Sequence, residues 1–390
     1  MVMRNRLVRS GFFLFVSAAY LLSQPYYYGV NLSCAEFGSA LPGIYGTTYI
    51  YPSVSSLDYY KSKGLRLIRL PFLWERLQQS LNAPLDSAEL LRMDAFVAGA
   101  AARDMLVLLD AHNYGRRTVG GASYIIGSTQ VPVAAFGDFW KRVAAHYKNS
   151  NAVWAYGLSN EPHDMGAYSW FNAAQAAIDS TRLADTTHII MVGGNNWSSA
   201  DRWPQVSDSL RFLADPRNNL MFEAHQYFDN DASGTYAQTY DAQGATDSIG
   251  VKRVAHFVTW LETFGKRGFV GEYGVPGNDS RWNTTLDKFL NYLDQHRIGG
   301  TYWAGGPWWG SYALSVEPSG NVDKPQMSVL SKYSGGQTGI HAATVSPGKS
   351  AVPASARTVS IFRPAVIGVR SAGGIIYRVD GRSVPRQNAK

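Results

Sequence analysis

Eight apolar runs, each stopping at a polar or aromatic residue, recur along the chain with amphipathic stretches between them, and no other feature restricts the fold as much. The runs are Tyr26–Leu32, Leu65–Pro71, Met105–Asp110, Val153–Ser159, His188–Val192, Leu220–Ala224, Gly268–Glu272 and Gly299–Trp303. Near-continuous apolar runs of this length are what parallel strands covered on both faces look like. Between them, helical spacing of apolar residues predicts helices over Val54–Lys63, from Asp86-Ser87 to about Ala102, and over Pro132–Tyr147, Trp170–Leu183, Val251–Phe264 and Trp282–His296. Gly64 is placed to end the first of these as a left-handed cap. Eight strand runs with helices alternating between most of them over about 300 residues predict a (β/α)8 TIM barrel.

The runs also stop in a consistent way. Val153–Ser159 gives way to Asn160-Glu161-Pro162, and Pro162 cannot continue a central strand because it has no N–H to donate. Gly268–Glu272 likewise ends in a glutamate. Around the barrel the loop-facing strand ends carry Arg69, His112, Asn160 with Glu161, His225 with Tyr227, Glu272 and Trp303. In a parallel barrel those ends carry the chemistry, and two carboxylates on different strands are the minimum equipment for glycoside hydrolysis. The two histidines and a glutamate are also a possible metal set, but no His-x-x-x-His spacing supports it. No cofactor or metal is expected.

The segments Arg69-Leu70-Pro71, Asp110-Ala111-His112-Asn113-Tyr114, Asn160-Glu161-Pro162-His163-Asp164, Gly194-Asn195-Asn196-Trp197, His225-Gln226-Tyr227-Phe228-Asp229 and Gly271-Glu272 together resemble glycoside hydrolase family 5, the retaining β-glycanases with catalytic glutamates on the fourth and seventh strands. In detail they are most similar to its endo-β-1,4-glucanases (cellulases). The resemblance implies Glu161 as acid/base and Glu272 as nucleophile. It implies Asn160 on the sugar 2-hydroxyl, His112 and His225 in the same subsite, and Trp303 as its stacking floor. Arg69 and the Tyr227 hydroxyl are the candidate donors to Glu272. Trp197, with Trp308 and Trp309, sits in loops where stacking on further glucose units is expected, and Trp74 and Tyr114 are weaker candidates. Trp140 and Trp260 fall within helices and are read as core. The same fold also serves mannanases, xylanases and β-1,3-glucanases, and a non-catalytic glycan-binding barrel is the alternative from another class.

Charge decides against a nucleic-acid partner. The net charge of +7 resides in residues 334–390, which hold eight basic groups and one acid, while residues 1–333 hold 28 of each sign. The Gly/Ser/Ala/Pro-rich stretch 334–355 reads as a linker and 356–390 as a small basic β tail, with Asp380-Gly381 as a hairpin signal. This tail is expected to be dispensable for catalysis and to contact an anionic cell surface or serve sorting. At the other end, Arg4, Arg6 and Arg9 precede the apolar run Gly11–Leu22, which makes residues 1–24 a signal peptide or an uncleaved N-terminal anchor. The catalytic domain is therefore placed at 25–333, in a secreted or cell-envelope-associated monomer acting on β-glucan. The single cysteine, Cys34, excludes an internal disulfide and reads as a buried small residue. Loops held by disulfides in the fungal relatives must here be braced otherwise or be mobile.

Overall fold

Each apolar run becomes a strand whose alternate residues face the barrel axis, and the helices cover its outside. The computed structural model describes residues 25–333. Parallel strands β1 (Tyr28–Leu32), β2 (Leu67–Phe72), β3 (Leu106–Ala111), β4 (Val153–Gly157), β5 (Ile189–Gly193), β6 (Leu220–His225), β7 (Gly268–Tyr273) and β8 (Gly299–Gly305) close into a barrel, with β8 pairing back onto β1. The (β/α)8 expectation holds. The segments 1–24, 334–355 and 356–390, read as leader, linker and tail, lie outside the described residues.

The main helices are α1 (Ser56–Ser62), α2 (Ser87–Ala101), α3 (Val133–Tyr147), α4 (Trp170–Arg182), α5 (Ile249–Phe264) and α6 (Ser280–Gln295). Asp86 caps α2 by accepting a hydrogen bond from Glu89 N, and Gly64 takes φ +79° just past α1. On α3, Phe136, Phe139, Trp140 and Val143 are buried against the barrel, each stabilising by about 1.5–3 kcal/mol. Trp140 and Trp260 are core, as read from the sequence.

Three details add to or depart from the sequence reading. The β5–β6 connection, over which the sequence predicts no helix, holds none of length. A short turn at Trp203–Val206 and a 3-10 turn at Asp208–Phe212 take its place, with Pro204 in the first turn. Trp203, fully buried against Phe257 and Trp260, fills the space a helix would cover. Second, β2 runs through Pro71 to Phe72 instead of closing at the proline. The carbonyls of Arg66 and Phe72 bond to β3, so by alternation Pro71 faces β1, whose pairing has already ended at Asn31. No donor is missed there. Third, an antiparallel ribbon, Arg116–Val119 with Ala122–Ile125, rises from the β3 loop. Its Gly120-Gly121 turn has positive φ at both positions, a hairpin signal that the sequence reading passed over.

Inside the barrel the strands build layers. Leu67, Leu108, Ala155, Ile189, Met191, Met221 and Phe269 form an apolar plug at one end. Two residues further along the same strands stand Arg69, Asp110 and Glu223, and beyond these the catalytic mouth. The period of two carries each strand from plug to polar layer.

Candidate active site

Arg69 is the centre of the polar layer and is wholly buried. Its Nη1 donates to Asn31 Oδ1 at 2.9 Å and Glu272 Oε1 at 3.1 Å, and its Nη2 donates to Asn160 Oδ1 at 2.7 Å. Ion pairs join Nη2 to Asp110 Oδ1 at 3.1 Å and Nε to Glu223 Oε1 at 2.8 Å. Burial opposes the guanidinium charge, but Asp110, Glu223 and Glu272 outweigh it and raise its pKa further. One cation thus orients three carboxylates and two amides from five other strands or strand ends.

Glu272 turns toward the axis through a bulge. Ala224 and His225 pair with Val270 and Glu272, so Gly271 is the extra residue on β7. The Gly271 carbonyl accepts from Asn31 Nδ2 at 2.9 Å and Thr301 Oγ1 at 2.6 Å, which pins the bulge. Only glycine fits at this point, since a Cβ on residue 271 would lie 1.9 Å from Glu223 Oε1. The second oxygen of Glu272 accepts the Tyr227 hydroxyl at 2.8 Å.

Glu161 follows β4 with φ +41°, a left-handed conformation that costs a residue with a Cβ of order ~1 kcal/mol or more. Its Oε1 lies 2.7 Å from His225 Nδ1, and His225 Nε2 lies 3.2 Å from Glu223 Oε1. Carboxylate oxygens of Glu161 and Glu272 lie within 4.8 Å of each other. Burial opposes protonation of His225, yet the charge of Glu272 and the contacts to Glu161 and Glu223 raise its pKa to about 10. Glu161, His225 and Glu272 could offer three ligand atoms to a metal. Both oxygens of Glu272 already have donors, in Arg69 and Tyr227.

Around this centre, His112 Nδ1 lies 2.8 Å from Asp110 Oδ2, while its Nε2 meets Asn160 Nδ2 at 3.3 Å and Tyr114 Oη at 3.1 Å. Asn160 Oδ1 accepts from Arg69, so the amide N–H2 faces His112. Trp303 lies parallel to the His112 ring, with centroids 5.4 Å apart and planes at 13°, and meets Trp309 edge-on. Trp197 is 44% exposed and stacks on His163 at 4.4 Å. Of the sequence-predicted residues, Arg69, His112, Asn160, Glu161, His225, Tyr227, Glu272 and Trp303 converge on one centre. Trp197 stands at the rim of an adjoining cavity of about 480 Å³ that Glu161, His225, Tyr227 and Arg253 also line. A wider cleft of about 680 Å³ opens on the other side, past His112, Tyr114, Trp303, Trp309 and Glu36.

Supporting residues escaped the sequence reading: Asn31, Glu223 and Thr301 were not singled out. Each lies two residues from another axis-facing position on its strand, and that spacing was the available signal. The loops are braced by buried polar side chains. Arg76 donates to the carbonyls of Ala35, Phe37 and Pro42, and Glu75 accepts from Asn113 Nδ2 and Thr118 N. Asp229 accepts from Gly234 N and Tyr236 N, and Arg253 donates to the carbonyls of Tyr227, Asp229 and Asn230. Cys34 is fully buried, and burial pushes its thiol up to about 12.

Comparison with known proteins agrees with this architecture. Residues 29–308 match the family described as "Cellulase (glycosyl hydrolase family 5)". The chain belongs to glycosyl hydrolase family 5. Among curated relatives, the "Probable endo-beta-1,4-glucanase B" of Aspergillus kawachii is 36% identical, over 79% of this chain and 90% of its own length. Among solved structures, Pseudomonas stutzeri endoglucanase Cel5A in complex with cellobiose superposes with TM-score 0.75 at 40% identity, over 79% of this family 5 chain and 92% of its own. XacCel5A in complex with cellopentaose gives TM-score 0.74 at 39% identity, over 79% and 99%.

Proposed function

We propose that this glycoside hydrolase is an endo-β-1,4-glucanase that cleaves internal linkages of cellulose or related β-glucans by double displacement. The observation that carries the mechanism is the placing of two strand-end carboxylates with oxygens within 4.8 Å. Retaining pairs stand about 5–5.5 Å apart, whereas inverting pairs need about 6.5–9.5 Å to admit a water. The relatives' names and the cellobiose and cellopentaose complexes of two of them support the substrate class.

In the first step Glu272 attacks the anomeric carbon while Glu161 gives its proton to the glycosidic oxygen. The C–O bond breaks, and a glycosyl ester on Glu272 remains. In the second step water attacks that carbon, its proton returns to Glu161, and Glu272 leaves as a carboxylate. Arg69 and Tyr227 stabilise the carboxylate at the start and end of the cycle. Asn160 is the proposed partner of the sugar 2-hydroxyl, where contacts strengthen in the transition state. Trp303 is the proposed stacking face, and His112, oriented by Asp110, completes the subsite. The reaction needs no cofactor, because nucleophile, acid and charge stabilisers are all side chains.

The test is release of reducing sugar from carboxymethylcellulose, mannan, xylan and laminarin by the wild type and by Glu272→Gln. Carboxymethylcellulose should be preferred, and the variant should be inactive on all four. Preference for mannan, xylan or laminarin would assign another β-glycanase of the fold. Activity retained in the variant would remove Glu272 as nucleophile, and an α-anomer appearing first by proton NMR would overturn retention.

Export, through the basic and apolar residues before Tyr26, fits a polymeric substrate outside the cell. Among the described residues no helix is long and apolar enough to cross a membrane. The basic segment after Ser334 is proposed to contact an anionic surface without taking part in catalysis.

A further inference from the structure

Glu223 touches neither carboxylate of the reacting pair, yet it is buried, charged and held in place with unusual care. Its Oε1 serves two partners, Arg69 Nε at 2.8 Å and His225 Nε2 at 3.2 Å. Its fit depends on Gly271, where any side chain would collide with that oxygen. His225 in turn presents Nδ1 to Glu161 at 2.7 Å and, at 3.6 Å, to Glu272.

We propose that Glu223 is a positioning residue that holds the Nε2–H of His225, so that the acid's proton is shared between His225 Nδ1 and Glu161 and is not held by Glu161 alone. A carboxylate against Nε2 requires a hydrogen there, because a lone pair facing Oε1 would be repelled. Nδ1 is then the only ring nitrogen free to exchange a proton. When Glu161 is protonated, its O–H donates to Nδ1; when His225 carries the proton, the N–H donates to a Glu161 carboxylate. In both states one proton lies between the same two atoms, ready to leave for the glycosidic oxygen. After it leaves, an Nδ1 lone pair faces an ionised Glu161, and that repulsion favours taking a proton from the attacking water in the second step. The reverse tautomer would leave Nε2 bare toward Glu223.

The charges facing His225 agree with this. Glu161 comes from the loop after β4, Glu272 from β7 and Glu223 from its own strand. Arg69 on β2 acts through Glu223 and Glu272, and Tyr227 acts through Glu272. Glu223 is kept ionised. Burial would raise its pKa, but the Arg69 charge, followed by the contact with His225, lowers it.

This inference rests on the proposed acid/base role of Glu161 but is read out separately from it. Glu223→Gln keeps an oxygen for Nε2–H and Arg69 Nε while removing the charge. Losing a neighbouring carboxylate should lower the proton affinity of the Glu161–His225 pair by about one unit or more. The alkaline limb of kcat/KM should therefore move that far toward acid, with most turnover kept on the acid side. In parallel, 15N NMR of the imidazole nitrogens, with His225 assigned by its substitution, should report Nε2–H in both the wild type and Glu223→Gln, with the pH at which Nδ1 gives up its proton moved toward acid in the variant. Glu223→Leu, with no acceptor at all, should show the Nδ1–H tautomer. A folded Glu223→Gln with an unmoved alkaline limb and unchanged 15N shifts would overturn the proposal. If Glu161→Gln kept full activity, the acid assignment would fail while the tautomer result stood on its own.

Discussion

Tyr227 donates its phenolic hydroxyl to Glu272 Oε2 at 2.8 Å, on the side of the carboxylate opposite Arg69. The hydroxyl is buried, and burial and the charge of Glu272 push its pKa far above the ordinary tyrosine value. It therefore stays a donor at any working pH. Hydrogen bonds to charged groups contribute about 1.5–3 kcal/mol. Tyr227→Phe should lower kcat/KM by roughly ten- to a hundredfold with little change in Tm, measured by steady-state kinetics and thermal melting.

The two glutamates should separate by leaving group. Glu161→Gln should keep activity on aryl cellobiosides with good leaving groups, which need little proton donation. Glu272→Gln should lose activity on these and on polymer alike, because no glycosyl ester can form. Equal losses on both substrate types would reverse or void the assignment.

Trp197 presents an exposed ring stacked on His163, beyond the reacting centre. Trp197→Ala should raise KM for cellopentaose while leaving kinetics on a short aryl glycoside nearly unchanged. Stacking contacts of this kind contribute about 0.5–1.5 kcal/mol, or a few-fold to about tenfold. Equal changes on both substrates would place its role in packing.

Asp185 links stability to pH. Burial favours its neutral form, but hydrogen bonds from Thr187 N, the Tyr156 hydroxyl and His188 N bring its pKa down to about 2. A carboxyl depressed on folding contributes stability that is present above its unfolded value and lost as pH falls through the folded one. The Tm deficit of Asp185→Asn should be full at pH 6 and shrink as pH falls from about 4 toward 2. A deficit that stays constant across that range would remove ionisation as the cause.

Tyr333 docks on the barrel: its hydroxyl donates to Asp287 and its ring packs edge-on to Tyr28. A chain ending there should keep its melting temperature and its turnover on soluble substrate, while losing salt-sensitive binding to anionic vesicles. Such contacts are screened as the Debye length falls from about 10 Å at 0.1 M salt to about 3 Å at 1 M. Unfolding of the shortened chain would show that the tail belongs to the barrel.

The strands and the residues that end them were legible because a buried parallel strand has little polar composition to hide in. Arg69, Glu161 and Glu272 each break an apolar run. Glu223 breaks one as well, but it sits beside His225, which drew the functional reading to itself. Asn31 and Thr301 are small polar residues that a strand tolerates, and only the bulge they pin at Gly271, with the Arg69 contact of Asn31, explains them. The Gly271 bulge could not be read from alternation, because alternation is what it violates. The loop braces Glu75, Arg76, Asp229 and Arg253 are joined by contacts far apart in sequence, such as Arg76 to Ala35, and sequence carries no local sign of those.

These braces have a consequence for how the molecule comes into being. With one cysteine, sealed from solvent, and loops tied to backbone by Glu75, Arg76, Asp229 and Arg253, no intrachain disulfide separates the folded chain from the working one. Thiol reagents have nothing to cut, and the medium's redox poise has nothing to set.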